Sequence, residues 1–346
     1  MDLQLRQQCL INIELHYIAY NMTRGLTLCQ ELQENMMQII QTLKGFREET
    51  ATVLTIGKFD GIHRGHQRLI ERTVSEARAR REAGEDVKSC VCAIGTSPVM
   101  LLSLDERRQM LADMGVDLLI EETLTPELIR VEPEDFIASV IREKLRAVHV
   151  VTGEDFRYGY GRRGDTELLG RVGKPLGFTT ESLPPVTDGR GEKISSSAIR
   201  DAVSGGLMEQ AAEMLGYPFF VTGHVIHGRQ LGRTIGIPTA NLIADQSKLL
   251  PPNGVYCSET DTGERVYNGI TNVGTKPTVD GHFIGVETFC FDCDEDLYGE
   301  KLTVRLLTHV RKERKFDNLE VLKAQIESDR IFAETYFRKH LKEQEG

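Results

Sequence analysis

Along the chain the apolar positions switch between a period of two and a helical period, and the switches mark out elements. The run Ala51–Ile56 (ATVLTI) is rich in β-formers and closes on Gly57, as a buried strand does. Beyond a glycine-containing turn, Leu69, Ile70, Val74 and Ala77 recur at helical spacing. Arg78, Arg80 and Arg81 fall toward the end of that helix, where the dipole favours solvated cations. Strand-like Ser89–Ile94, a helix over Leu104–Met114, a short strand at Asp117–Ile120, a helix over Phe136–Leu145 and a strand at Val148–Thr152 follow. Such alternation implies a parallel sheet with right-handed crossovers. Pro184-Pro185 and the polar stretch Asp188–Lys193 read as a loop into two helices, Ser197–Val203 and Met208–Leu215. Gly216 and Pro218 stop the second, and a domain boundary is expected there.

After it the pattern changes. Phe219–Ile226, Gly254–Ser258, Arg265–Asn272, Ile284–Phe291 and Leu302–Val310 are short β-type runs separated by Gly, Pro, Asn and Asp. That spacing suggests an antiparallel barrel. A closing helix follows with Leu319, Leu322, Ile326, Ala333 and Phe337 on one face. The expected class is therefore α/β plus β. Residues 1–36 form an extension, 37–216 the parallel-sheet domain and 217–340 the barrel domain.

Composition narrows the function. The 346 residues are 40% hydrophobic and 27% charged, enough for two ordinary cores. A net charge of −10 lacks the basic surplus of a nucleic-acid binder. An anionic small molecule remains compatible, because backbone N–H groups and a few cations suffice to hold phosphate. No stretch reaches a membrane span, and the first 36 residues lack the apolar core and cleavage site of a signal peptide. Seven scattered cysteines read as reduced cytosolic thiols. Cys290 and Cys293 form a C-x-x-C, but on a strand and its end they point to opposite faces, with no second pair to complete a tetrahedral site. The expectation is two structural thiols.

Two segments carry candidate chemistry in the first half. Gly57-Lys58-Phe59-Asp60-Gly61-Ile62-His63-Arg64-Gly65-His66 follows a strand and opens a helix, the geometry that offers orphan N–H groups to a phosphate. His63 and His66 add imidazole donors, and Gly65 leaves room for a nucleotide; two surface histidines are the plain alternative. Ile194-Ser195-Ser196-Ser197-Ala198-Ile199-Arg200 brings hydroxyls, N–H groups and a guanidinium to another helix start, a second anion cradle unless it is merely a serine cap. Between them, Gly153–Asp165 follows a strand and interleaves Asp155, Phe156 and Tyr158 with Arg and Gly, a composition able to hold a flavin or base but also common in surface loops.

In the second half, Gly228-Arg229-Gln230-Leu231-Gly232-Arg233-Thr234-Ile235-Gly236-Ile237-Pro238-Thr239-Ala240-Asn241-Leu242 resembles the signature of riboflavin kinases. The F-D-G-x-H-x-G-H-Q and I-S-S-x-x-I-R segments resemble the adenylyltransferase half of the same prokaryotic bifunctional riboflavin kinase/FAD synthetase family. Gly254-Val255-Tyr256, Asn272–Thr278, Val286-Glu287-Thr288, Asp296–Gly299 and Lys315-Phe316 extend the likeness over about residues 37–337. The resemblance implies a Rossmann-like nucleotidylyltransferase domain joined to a small riboflavin kinase barrel. It implies phosphorylation of riboflavin to FMN and adenylylation of FMN to FAD, with ATP and Mg²⁺, in the cytoplasm. Gly57, Phe59, Gly65, Ser196, Ser197, Gly228, Gly232 and Arg233 would then contact ATP, and His63, His66 and Arg200 would act in adenylyl transfer. Thr239 and Asn241 would hold Mg²⁺ and phosphates, and Glu287 would be the general base that a neutral alcohol benefits from. Asp155, Phe156, Tyr158 and Arg311 would contact flavin, although Arg311 also fits a solvated basic cluster with Lys312 and Arg314. No nucleic-acid or membrane partner is implied, and homo-oligomerisation stays open.

Two departures bear on this. The family's longer F-x-P-x-P-like segment after the second strand is replaced by Ala93-Ile94-Gly95-Thr96-Ser97-Pro98, running quickly into the Leu104 helix. That shortening keeps a kinase with weak or lost FAD synthesis as the alternative. Residues 1–36 have no counterpart, and Met37-Gln38-Ile39-Ile40 reads like a family start, so Met37 is expected to be the initiator.

Overall fold

A computed structural model describes residues 37–95, 97–226, 237–278 and 281–344. The first half is built on six parallel strands: β1 (Gln38–Ile40), β2 (Ala51–Gly57), β3 (Val87–Ile94), β4 (Leu118–Glu122), β5 (Ala147–Gly153) and β6 (Thr179–Leu183). Their order is β1-β4-β3-β2-β5-β6. β2 and β3 are buried along nearly their whole length because both their faces are covered, as in a sheet flanked by helices. Helix α1 (Arg64–Glu82) buries Ile70, Thr73, Val74 and Ala77 against the sheet. Its terminal arginines are engaged: Arg81 donates to Val87 O and pairs with Asp117, and Arg80 pairs with Glu76 and Glu85. Helix α2 (Leu104–Asp113) begins with a Ser103/Glu106 capping box. The predicted Phe136–Leu145 helix is a π-helix, Phe136–Lys144. Helix α3 (Thr166–Gly173) and strands β1 and β6 were not marked by the sequence pattern.

Helices α4 (Ser196–Ser204) and α5 (Met208–Leu215) follow, and α5 ends at Gly216 with φ 83°. The second half is a closed antiparallel barrel of β7 (Phe220–Ile226), β8 (Ala240–Ile243), β9 (Gly254–Asp261), β10 (Val266–Thr278), β11 (Gly281–Cys290) and β12 (Lys301–Lys312). It closes in the order β10-β11-β8-β7-β12-β9. Alternation sorts the side chains: Leu242, Tyr256, Val273, Val286 and Val304 fill the interior, while Val255, Cys257, Ile270 and Phe291 pack outward with Ala333 and Phe337 of α6 (Leu319–Gln344). Leu322 and Ile326 are partly covered, but Leu319 is 49% exposed. It opens the helix before the apolar face reaches the barrel.

One apolar core runs through the join between the halves. Ile199, Ala202 and Val203 of α4 and Met208, Ala211, Met214 and Leu215 of α5 share it with Leu101 on one side and the barrel interior on the other. Beside it, Lys248 pairs with Glu106 at 2.5 Å, each side chain 1% exposed. Glu106 also accepts from Thr222 N and Oγ1, and Met100 exchanges backbone hydrogen bonds with Ser247 and Leu249.

Candidate functional site

The sheet order reverses direction at β2: the chain proceeds to β3 and β4 on one side and to β5 and β6 on the other. In open α/β sheets ligands bind beyond the strand C-termini at such a switch point. The loop after β2 leads into α1, and the loop after β5 carries Asp155–Asp165. Both candidate segments therefore leave the sheet side by side. Gly57 closes β2. Gly61 has φ 83°, and a Cβ there would lie 2.7 Å from Leu101 Cδ1, so any other residue would be strained. His63 is the N-cap of α1, its Nδ1 accepting from His66 N at 3.4 Å. A Cβ on Gly65 would meet the His63 ring at 3.2 Å, so this glycine makes room for the imidazole cap.

The two imidazoles stack with centroids 3.7 Å apart. Burial, followed by the nearby Lys193 cation, lowers the His63 pKa to about 4. Burial, followed by the His63 charge, holds His66 well below its ordinary value. At neutral pH both are uncharged donors. Because His63 Nδ1 accepts, its proton sits on Nε2. His66 Nδ1 is buried without a hydrogen-bond partner among the described residues.

The second cradle is brought against the first. Ser195 caps α4, accepting from Ala198 N at 3.3 Å. Ser196 Oγ donates to Asp60 O at 2.9 Å, Ser197 is exposed, and Arg200 pairs with Asp60 Oδ2. Asp155 is tied to Lys193, one residue before this segment. Sequence reasoning left out Asp60 and Lys193. Asp60 lay inside a motif read for its histidines, and nothing local to Lys193 predicts its pairing across 38 residues.

Two expected contacts turn inward. Phe59 is 0% exposed and belongs to a core with Ile62, Ile70 and Leu102, its ring tilted under His66 at 5.1 Å. Its side chain offers no surface to ATP; a φ of 49° at this position bends the loop instead. Tyr158 is 6% exposed, packed between Phe136 and Phe156 in the sheet's core, because the 158–164 bridge folds the loop back. Phe156 and Asp155 remain nearer the surface.

In the barrel, β8 and β11 pair with Asn241 opposite Glu287, so their side chains share a face. Thr239 Oγ1 donates to Glu287 Oε1 at 2.6 Å. Thr239 and Asn241 line a hollow at the barrel's end with Thr288, Asp296 and Tyr298. Phe289, on the same face as Glu287 and two residues beyond it, lines a second hollow against Lys323, Ala324, Glu327 and Arg330 of α6. Glu287 is linked to the first hollow by its bond from Thr239 and shares a strand face with Phe289 of the second. Gly228, Gly232 and Arg233 lie outside the described residues. Arg311 is held by Asp329 through both Nε and a terminal nitrogen at 2.8–3.0 Å, and it lies over Phe316. It is a strut between β12 and α6 and not a member of a solvated cluster.

The C-x-x-C departs from expectation as well. β11 ends at Cys290, and the turn that follows, with φ 54° at Asp292, brings Cys293 round to line the same hollow as Cys290. Among the described residues no group of three or more His, Cys, Asp or Glu side chains could hold a metal. Thr239 and Asn241 supply oxygen donors of the hard type that suits Mg²⁺. No helix among the described residues is long and apolar enough to cross a membrane.

Comparison with known proteins agrees with this division. The FAD synthetase family model matches residues 46–198 and the riboflavin kinase family model residues 215–337. The bifunctional riboflavin kinase/FMN adenylyltransferase of Escherichia coli (strain K12) is 37% identical over 291 residues, covering 82% of this chain and 92% of its own. The Bacillus subtilis (strain 168) protein of the same description is 33% identical, covering 84% and 94%. The crystal structure of a macrolide-efflux protein from Streptococcus pneumoniae superposes with a TM-score of 0.74 at 30% identity, covering 86% of this chain and 99% of that one. A parallel-sheet half matching FAD synthetases, a barrel half matching riboflavin kinases, and relatives alike along nearly their whole length lead to one conclusion: the chain belongs to the bifunctional riboflavin kinase/FMN adenylyltransferase family.

Proposed function

We propose that the family's two reactions are divided between the halves, with residues 217–340 phosphorylating riboflavin and residues 37–216 adenylylating the resulting FMN. The observation that carries the kinase assignment is the Thr239–Glu287 hydrogen bond beside Asn241. ATP phosphates belong in the hollow lined by Thr239 and Asn241, and the flavin ring in the apolar hollow between β11 and α6. Glu287, held by Thr239, accepts the ribityl hydroxyl proton as oxygen attacks the γ-phosphorus. Mg²⁺, held by Thr239, Asn241 and the phosphates, would offset the charge that develops.

In the other half the incoming FMN phosphate is already anionic and needs no base. Alignment with the α-phosphate of ATP and charge stabilisation suffice. The N-terminus of α1, the neutral imidazoles of His63 and His66, and the hydroxyl and guanidinium donors of α4 supply both. Asp155 and Phe156, beyond β5, are placed to meet FMN. Of the substrates, ATP and FMN are anionic and riboflavin is neutral; all are small molecules of the cytoplasm, where the enzyme would act.

Incubation of the purified protein with riboflavin and Mg-ATP tests this. FAD and pyrophosphate are expected; FMN alone would favour a kinase whose shortened segment after Ile94 has cost it FAD synthesis. Glu287→Gln should lower FMN formation by about 10²–10⁴-fold and leave FAD formation from supplied FMN intact. His66→Ala should do the reverse, and equal loss of both activities in either variant would contradict the division.

A further inference from the structure

We infer that Asp60 is a positioning residue for adenylyl transfer: it holds Arg200 ready for the nucleotide and clamps the two phosphate cradles together. This rests on the assignment of Arg200 above. Asp60 lies between Phe59 (φ 49°) and Gly61 (φ 83°), so the backbone turns sharply on both sides of it. Two other segments, α4 and the stretch at Leu101, are tied to this one residue. Oδ2 pairs with Arg200 of α4, Oδ1 accepts from Leu101 N at 2.8 Å, and its backbone oxygen accepts from Ser196 Oγ at 2.9 Å. Its side chain is 11% exposed and that of Arg200 27%.

A carboxylate beside a phosphate site is a liability unless its charge is met, and here Arg200 meets it. A guanidinium has five donors in a planar fork, and among the described residues only Asp60 accepts from Arg200. The rest of the fork is left for an anion. An arginine held in one rotamer loses little further freedom when substrate arrives, and the arrangement gains most where charge develops in the transition state. A base is not required by this reaction, so proton abstraction is not what the carboxylate is for. Because Asp60 acts through Arg200, its removal should depress turnover more than nucleotide affinity; loss of a negative charge near the phosphates even favours binding.

The experiment compares Asp60→Asn, Arg200→Ala and the double variant in FAD formation from FMN and Mg-ATP, with riboflavin phosphorylation by the same protein as the control for folding. Asp60→Asn should lower kcat for FAD formation about tenfold or more, with KM for ATP no higher than wild type and kinase activity within about twofold. The double variant should be no worse than Arg200→Ala. The inference is overturned if the two losses multiply, if Asp60→Asn raises KM without lowering kcat, or if kinase activity falls in parallel. Should Arg200→Ala itself retain full FAD synthesis, the assignment of Arg200 fails and this inference with it. An inactive Arg200→Ala beside an unimpaired Asp60→Asn overturns the role of Asp60 alone.

Discussion

At the scale of single residues, the proposed phosphate cradle at the start of α1 contains histidines that stay neutral. His63 is held at a pKa of about 4, chiefly by burial, below the 6.5 of an unrestrained imidazole. The unfolded chain therefore binds a proton first as pH falls, and native stability must drop through the window from 6.5 down to about 4. Asparagine caps helices as well as histidine accepts here, but does not titrate. His63→Asn is thus expected to flatten that slope, read as urea midpoints across the window, while FAD formation falls; an unchanged slope would contradict the assignment. The histidine and serine segments stood out because each opens a helix, whereas Glu287 was marked only by the family resemblance. Asp60 and Arg200 are 140 residues apart, and only the folded sheet unites them. Phe59 and Tyr158 misled because an aromatic in a glycine-rich loop reads as exposed, whereas distant core partners decide its burial.

At the scale of elements, propensity found the strands buried on both faces and missed those with mixed composition. β6 (TTESL) has too few apolar positions, and β8 follows Pro238 with only four residues, although it carries Asn241. The π-helix has no sequence signature at this resolution of pattern, and Leu319 extended the apolar stripe one turn beyond the contact. What fixes α6 on the barrel is partly the Arg311–Asp329 pair, with Asp329 2% exposed. Breaking such a pair costs roughly 3–5 kcal/mol when fully buried, and about 2 kcal/mol is expected here because Arg311 is partly open to water. Asp329→Asn should therefore loosen α6 and raise KM for riboflavin, leaving FAD formation from FMN unaltered; steady-state kinetics of both reactions check this.

At the scale of the whole molecule, the functional boundary at Gly216 does not coincide with a gap in packing. α4 carries the proposed phosphate ligands Ser196, Ser197 and Arg200 as well as core residues, and α5 shares that core with the barrel interior. A barrel fragment beginning at Tyr217 should consequently be poorly soluble, whereas one beginning at Ser195 should fold; circular dichroism melts of the two would distinguish them. The Lys248–Glu106 pair makes the same point. Lys248→Met leaves a buried carboxylate unpaired and should lower stability by roughly 3–5 kcal/mol, seen in urea denaturation as a loss common to both activities. Closure of the barrel has a different consequence. A cylinder of strands has no margin to which a foreign strand can add, so the second half is protected from templated aggregation. The open sheet ends at three-residue β1 and at β6. Heat-stressed protein that associates through backbone pairing is therefore expected to use the outer rim of Thr179–Leu183, the longer of the two edges, where a single proline would stop it.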